Sequence, residues 1–290
     1  MKKIGFIGTG VMGLPMALNI LNAGFPLQVW NRSKDKLELL EKQGANIVES
    51  PQELARQVDV LILMLSDGQT CDDMLFGEYG LINDLNPSSS VIVMSSIPVE
   101  TAQVQSRKCY EKGIDYLDAP VSGGEQGAIT GNLAIMAGGE EVAYQSAFDV
   151  LAAMGRPIHV GPSGTGQLAK LVNQIIVATT IAAVSEGLVL AKQGGANPEK
   201  MLSALAGGFA DSLILQQHGK RMINEDFKPG GYAKWQLKDT HTAVNYAKSL
   251  NLSLPVLALV DTLFEQMVQE GWGELDHSAL IKHIKKMNHL

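Results

Sequence analysis

The spacing of apolar and polar positions changes about halfway along the chain. In the first half, short apolar runs alternate with segments of helical period. "KIGFIG" is apolar and ends at glycines; "VMGLPMALNILNAG" repeats apolar residues every three to four positions and stops at a glycine. "PLQVW" reads as a strand. "SKDKLELLEKQG" reads as a helix, with Ser33 as its N-cap and Gly44 just past its end. "VDVLILML" is a fully apolar strand. "SSVIVM", "IDYLDAP", "NLAIMAGG" and "PIHVG" follow, with helical stretches such as "VETAQVQSRKCYEKG" between some of them. Apolar strands separated by helices predict a parallel sheet covered on both faces.

The strand signal fades after about Gly161. From Gln167 onward the segments "LAKLVNQIIVATTIAAVSEGLVLAKQG", "PEKMLSALAGG", "LKDTHTAVNYAKSL", "PVLALVDTLFEQMVQEG" and "HSALIKHIKKM" all read as helices, separated by Gly, Pro or Asn. The expectation is an α/β domain over residues 1–162, then a long connecting helix and an all-α domain over 163–290.

Composition narrows the function classes. A chain of 290 residues, 46% hydrophobic and 18% charged, is an ordinary globular protein of one or two domains. Net charge is −7 with no basic block, which argues against nucleic acid as a partner. Cys71 and Cys109 form no CxxC, which fits a reducing compartment rather than a disulfide or zinc scaffold. The six histidines show no metal-ligand spacing, so no metal site is expected. The N-terminus lacks the pattern of a signal peptide. The run "LVNQIIVATTIAAVSEGLVLAK" carries Asn173, Gln174, Ser185 and Glu186, so it reads as a buried helix rather than a membrane span. Glu186 is expected to be a buried or interdomain hydrogen-bonding group, and Trp272 to pack a C-terminal helix. The expected location is the cytoplasm.

The first chemical motif is "IGTGVMG", which spans Gly8, Thr9, Gly10, Val11, Met12 and Gly13. It follows a strand and opens a helix, the setting in which Gly-x-Gly-x-x-Gly binds a dinucleotide. Gly8 makes the tight turn, Gly10 lets a pyrophosphate approach the backbone, and Gly13 lets helix and strand pack closely. The first domain is therefore expected to be of Rossmann type. In "VWNRSKDK", no acid stands at the end of the second strand to hold a ribose 2′-hydroxyl; Asn31 and Arg32 stand there instead. Asn31 can bond the ribose edge, Arg32 can pair with a 2′-phosphate, Ser33 offers a hydroxyl and Lys34 adds charge. NADP(H) is thus preferred, with NAD(H) possible.

Two further stretches suggest a substrate site. In "DAPVSGG", Ser122 precedes Gly123 and Gly124, whose backbone N–H groups could form a nest for a small carboxylate; an ordinary Gly-Gly loop has the same sequence. In "GTGQLAKLVNQ", Lys170 and Asn173 share one helix face. Loss of solvation would lower the lysine pKa toward neutrality and make it a proton donor. On spacing alone, a lysine snorkelling from the helix end is the simpler reading.

The chain resembles the β-hydroxyacid dehydrogenase family along essentially its whole length. The resemblance rests on "GFIGTGVMGLPMALNI", "DAPVSGG", "GPSGTGQLAKLVNQ" and "LKDTHTA", in family order. "DAPVSGGEQGAITGNLAIMAGG", "KLVNQIIVATTIAAVSEGL", "DFKPG" and "DHSAL" resemble the branch that reduces tartronate semialdehyde. The resemblance implies that Lys170 is the general acid and that Asn173 orients the substrate. Ser122, Gly123 and Gly124 would hold the substrate carboxylate. Met64, Leu65 and Ser96 would contact the cofactor, and Lys238 would reach the nicotinamide side with Asp239 close by. The implied reaction is NADPH-dependent reduction of a small semialdehyde carboxylic acid to its hydroxy acid, in a dimer or tetramer. Two departures stand out: Val93 replaces the family's acid in the fourth strand, and "PGGYAKWQLKD" differs before Lys238, so Tyr232, Lys234 and Trp235 could alter the substrate pocket. The competing readings are another substrate of the same family, imine reduction, and a cofactor-binding module without chemistry; Lys170 disfavours the last two.

Overall fold

The computed structural model describes residues 1–290. The chain divides into two compact units, residues 1–170 and 171–290. The division falls inside the long helix rather than ahead of it, because the helix's first turn is hydrogen-bonded to loops of unit 1.

Unit 1 is built on one nine-stranded sheet. Its elements begin β1 (Ile4–Ile7), α1 (Gly13–Asn22), β2 (Leu27–Trp30), α2 (Glu38–Lys42), β3 (Asn46–Ile47), α3 (Pro51–Ala55), β4 (Val60–Leu63) and α4 (Gly68–Phe76). They continue with β5 (Ser90–Val93), α5 (Val99–Tyr110), β6 (Asp115–Asp118), β7 (Val121–Ser122), α6 (Gly124–Ile129), β8 (Leu133–Gly139), α7 (Glu141–Ala152) and β9 (Gly155–Gly161). The strand order is β3-β2-β1-β4-β5-β6-β8-β7, with β9 paired to β8. Between β1 and β4 the order reverses direction, the switch point at which such sheets bind ligands.

The fully apolar strands follow from two-sided burial. Ile4, Phe6, Val60, Ile62 and Ile92 pack into one core; Ile7, Leu61, Leu63, Val91 and Val93 pack into the other. Side chains alternate faces along a strand, so a sheet covered on both sides needs apolar residues at every position.

Three details depart from the sequence expectation. The sheet is mixed: β6 and β7 each pair antiparallel with β8. The two-residue β3 extends the edge beyond β2. "SKDKLELLEKQG" is a 3-10 turn, Lys34–Leu37, followed by the short α2, and Ser33 stands ahead of it without a side-chain cap bond. The stop is as expected: Gly44 takes a positive φ of 99°, and Ala45 N–H returns to the Leu40 carbonyl.

Helix α8 (Thr165–Gln193) leads into unit 2, which adds α9 (Pro198–Leu205), α10 (Leu213–Asn224), α11 (Ala233–Ser249), α12 (Pro255–Met267) and α13 (Leu280–Met287). Asn197 and Ser212 cap α9 and α10 by accepting the N–H groups of Lys200 and Leu215. Helix α10 was not expected. By length and apolar content α8 could cross a membrane, but Ala178, Ile181, Ala182, Val184 and Leu188 sit in the core of unit 2. Val172, Ile176 and Leu190 on the same helix are exposed. Glu186 is also exposed, contrary to expectation, because it lies on that outer stripe. Trp272 does pack the C-terminal helix, beneath the ammonium groups of Lys282 and Lys286 on α13.

Candidate active site

The candidate cofactor residues of unit 1 follow the carboxyl ends of its parallel strands. Gly8 to Gly13 follow β1, Asn31 to Ser33 follow β2, Met64 and Leu65 follow β4, and Ser96 follows β5. Gly8 has φ of 103°, and a Cβ there would lie 2.2 Å from the Met64 carbonyl oxygen. A Cβ on Gly13 would lie 1.8 Å from the Gly8 carbonyl oxygen, so only glycine lets α1 close on the turn. A Cβ on Gly10 would meet nothing within 4 Å. That is the open backbone face a pyrophosphate requires.

Helix α1 has no side-chain N-cap and no acid in its first turn, so its N-terminal dipole is not neutralised locally. Thr9 Oγ1 is buried with no hydrogen-bond partner within the protein. Val11 is exposed and Met12 half-buried. These features fit a bound dinucleotide: an open glycine face, an uncapped helix start and a spare buried hydroxyl.

Asn31 also holds the backbone around it. Its Oδ1 accepts the Thr9 N–H at 3.1 Å, and its Nδ2 donates to the Ser33 carbonyl at 2.9 Å. The amide thus braces the glycine-rich turn. Arg32 is exposed beside it, and Lys34 pairs with Glu49 at 2.7 Å on the surface.

The "DAPVSGG" block divides into an exposed end and a buried one. Ser122, Gly123 and Gly124 lie at the open end, with both glycines at positive φ and both exposed. Asp118, at the other end, is fully buried. Its Oδ1 accepts the Gly164 N–H at 2.7 Å and its Oδ2 accepts the Gln167 N–H at 2.8 Å. Asp118 therefore caps α8 from a different strand. Burial pushes its carboxyl up to about 7, against the opposing pull of the N–H groups of Gly164, Gln167 and Gly166.

Lys170 lies in the second turn of α8 and is half-buried. Asn173, three residues on, donates from Nδ2 to Gln174 Oε1 at 2.9 Å. Gln174 Nε2 in turn donates to Asp239 Oδ2 at 2.6 Å, so in unit 2 Asp239 ties α11 to α8. Lys238 is its neighbour on α11. Lys234 pairs with Glu274 at 2.6 Å and lies over the rings of both Tyr232 and Trp235.

Sequence spacing missed four groups. Asp118 and Gln167 are buried polar residues in motifs noticed for other members. Gln174 adjoins a predicted site residue. The fourth is a pair of histidines: His218 and His277 approach to 3.1 Å between their Nε2 atoms, next to buried Asp276. Asp276 accepts from Arg221 at 2.6 Å, from the Gly230 and Gly231 N–H groups, and from Ser278, so its oxygens are already engaged. Burial lowers the His218 pKa. Cys109 is buried, which pushes its thiol up to about 12 and leaves it unreactive.

A sheet of dinucleotide-binding type, a long helix with Lys170 in its second turn and a helical unit after it make up an NAD(P)-dependent oxidoreductase acting on CH–OH groups. Residues 3–192 match the family described as the NAD binding domain of 6-phosphogluconate dehydrogenase. Residues 164–284 match the NAD-binding family of NADP-dependent 3-hydroxyisobutyrate dehydrogenase. The chain belongs to this β-hydroxyacid dehydrogenase family. It is 43% identical to 2-hydroxy-3-oxopropionate reductase of Escherichia coli (strain K12), over 99% of both chains. It is 32% identical to glyoxylate/succinic semialdehyde reductase 1 of Arabidopsis thaliana, over 98% of both. The structure of Mycobacterium tuberculosis 3-hydroxyisobutyrate dehydrogenase with L-serine superposes with a TM-score of 0.90 at 27% identity, over 98% of this chain and 99% of that one.

Proposed function

We propose that the protein reduces a small semialdehyde carboxylic acid to the hydroxy acid with NADPH, and that tartronate semialdehyde, giving glycerate, is the preferred substrate. The observation that carries this reading is the placement of Lys170: one turn beyond a helix start that Asp118 anchors to the carboxyl edge of the dinucleotide-type sheet. The 43% identity to the E. coli reductase over nearly the full length supports the choice of substrate. The absence of an acid directly at the end of β2, where Asn31 stands with exposed Arg32, supports NADPH over NADH.

When bound, the reduced nicotinamide supplies the hydride. The backbone around Gly8, Thr9, Gly10, Val11, Met12 and Gly13 would hold the pyrophosphate, with Asn31 at the ribose edge, Arg32 and Ser33 at the 2′-phosphate, and Met64, Leu65 and Ser96 along the cofactor. Ser122, Gly123 and Gly124 would hold the substrate carboxylate through a hydroxyl and backbone N–H groups. Lys170 would pass a proton from Nζ to the aldehyde oxygen as the carbonyl becomes an alcohol. Asn173 would orient the substrate, and Lys238 and Asp239 are assigned to the cofactor side on the family resemblance. The proposal includes a cytoplasmic location and a dimer or tetramer, for which the exposed Val172, Ile176 and Leu190 of α8 offer an apolar stripe.

The test is NADPH and NADH oxidation against a panel of small aldehydes led by tartronate semialdehyde, with Lys170→Ala in parallel. The reading expects turnover with NADPH, weak NADH use and an inactive variant. Turnover restricted to another semialdehyde would move the substrate assignment. Full activity in Lys170→Ala would remove the proposed acid.

A further inference from the structure

Gln167 is 1% exposed, and both ends of its amide are engaged. Its Oε1 accepts the Ile97 N–H at 3.0 Å, and its Nε2 donates to the Ser95 carbonyl at 2.8 Å. These two groups flank Ser96. A neighbouring strand in a parallel ladder would bond a residue's two flanking peptides in the same way, so the side chain continues the sheet's pairing past the end of β5. The loop is held on its other side too. Ser95 Oγ accepts the Leu65 N–H at 2.7 Å and lies 3.5 Å from Cys71 Sγ. Through its own backbone N–H, Gln167 is bonded to Asp118. Gln167 therefore joins the loop after β5 and the end of β6 to the first turn of α8, Ser95 carries the link on to Leu65 after β4, and Lys170 stands three residues further along the helix.

We propose that Gln167 is a positioning residue: it locks the Ser95–Ile97 loop and the head of α8 into one rigid piece, so that the cofactor-side backbone at Leu65 and Ser96 keeps a constant relation to Lys170. This rests on the reading of Lys170 as the proton donor. Proton transfer at the moment of hydride transfer needs both partners placed to well within an ångström, and a helix head free to shift would lose that registry. Packing alone would not select an amide here. A buried Met or Leu would fill the volume but strand the Ile97 N–H and the Ser95 carbonyl.

The test compares Gln167→Met and Gln167→Glu with wild type and Lys170→Ala, with near-ultraviolet circular dichroism recorded at each pH. Gln167→Met is expected to lower kcat on the order of 10- to 100-fold, with KM for the aldehyde little changed. Gln167→Glu supplies the sharper readout. When protonated, a glutamic acid makes both bonds. When ionised, it faces the Ser95 carbonyl and lies near the Asp118 carboxyl. Its kcat relative to wild type should therefore approach one at low pH and fall reversibly as pH rises, without loss of the folded spectrum. The titratable groups tied to the same network are Asp118 from β6, at the Gln167 N–H, and Cys71 from α4, at Ser95 Oγ; Lys170 follows on the same helix. Wild-type kcat in both folded Gln167 variants at every pH, beside an inactive Lys170→Ala, would overturn this inference and leave the catalytic reading standing. An active Lys170→Ala would overturn the catalytic reading, and this inference with it. If Gln167→Met does not fold, the pH-dependent ratio in Gln167→Glu still decides.

Discussion

Asn31 Oδ1 receives the Thr9 N–H at 3.1 Å, and this bond fastens the glycine-rich turn after β1 to the end of β2. The two loops that would share the adenosine half of a dinucleotide are thus one unit before any ligand binds. Asn31→Ala should raise KM for NADPH and NADH together, because it loosens the turn both cofactors use. Arg32→Ala should raise KM for NADPH about 10- to 100-fold, the loss of one charge-assisted pair, and leave NADH nearly unchanged. Steady-state titration of both cofactors separates the two effects.

The glycines make different predictions for stability and the same one for binding. Gly13→Ala places a methyl 1.8 Å from the Gly8 carbonyl oxygen, so it should destabilise the fold by about 1–3 kcal/mol as well as weaken cofactor binding. Gly10→Ala meets nothing within 4 Å and should leave the melting temperature unchanged while still weakening binding. Thermal unfolding alongside fluorescence titration with NADPH checks both. A cofactor-independent role for the turn predicts no binding loss in Gly10→Ala.

Lys170→Ala should cut kcat by about 10²- to 10⁴-fold, the usual contribution of a general acid. Lys170→Arg should not restore it, since guanidinium keeps its proton at neutral pH. Pre-steady-state NADPH oxidation, read against unchanged NADPH affinity, measures the chemical step directly.

Asp118 predicts a pH effect on stability. Its folded-state value, about 7, is above the unfolded value of 3.8, so the folded state binds the extra proton between them. Its contribution is present below pH 4 and is lost as pH rises through 7. Asp118→Asn removes this titration. The stability gap between wild type and variant should therefore narrow between pH 4 and 8, by up to about 4 kcal/mol. Urea unfolding at a series of pH values measures the gap; a gap independent of pH would show that Asp118 stays ionised.

Asp276 predicts the opposite limb. Burial pushes its carboxyl up, but the His277 charge, Ser278 and the Gly230 N–H outweigh it and hold the group at about 2. Stability from Asp276 is complete above pH 4 and disappears as pH falls through 2. Asp276→Ala should cost about 3–5 kcal/mol at neutral pH, because Arg221 and two backbone N–H groups lose their acceptor. Chemical denaturation at pH 7 and pH 3 checks both the size and the trend.

Most of the fold could be read from the sequence where the signal is local. The apolar runs at β1, β4 and β5 carry their own evidence of two-sided burial. The glycines at 8, 10 and 13 mark a turn whose geometry excludes other residues. Helix α10 was missed because its apolar face is narrow and its polar residues dominate the segment. The antiparallel β6–β8 and β7–β8 pairings were missed because an apolar run marks a strand without recording the direction in which it pairs.

The sequence by itself determined the dinucleotide-type sheet, the family, and the presence of a lysine and an asparagine on one helix face. Periodicity, turn glycines and block order are properties of neighbouring residues. The tertiary structure decided how that lysine's helix is held. Asp118 lies 49 positions from Gln167, and Gln167 lies 72 from Ser95. A buried carboxylate or amide acquires its role from the N–H and carbonyl groups that folding brings to it, and no spacing along the chain records those partners. The same holds for His218 and His277, which are 59 residues apart in sequence and in contact once α10 packs beside the turn that begins at His277.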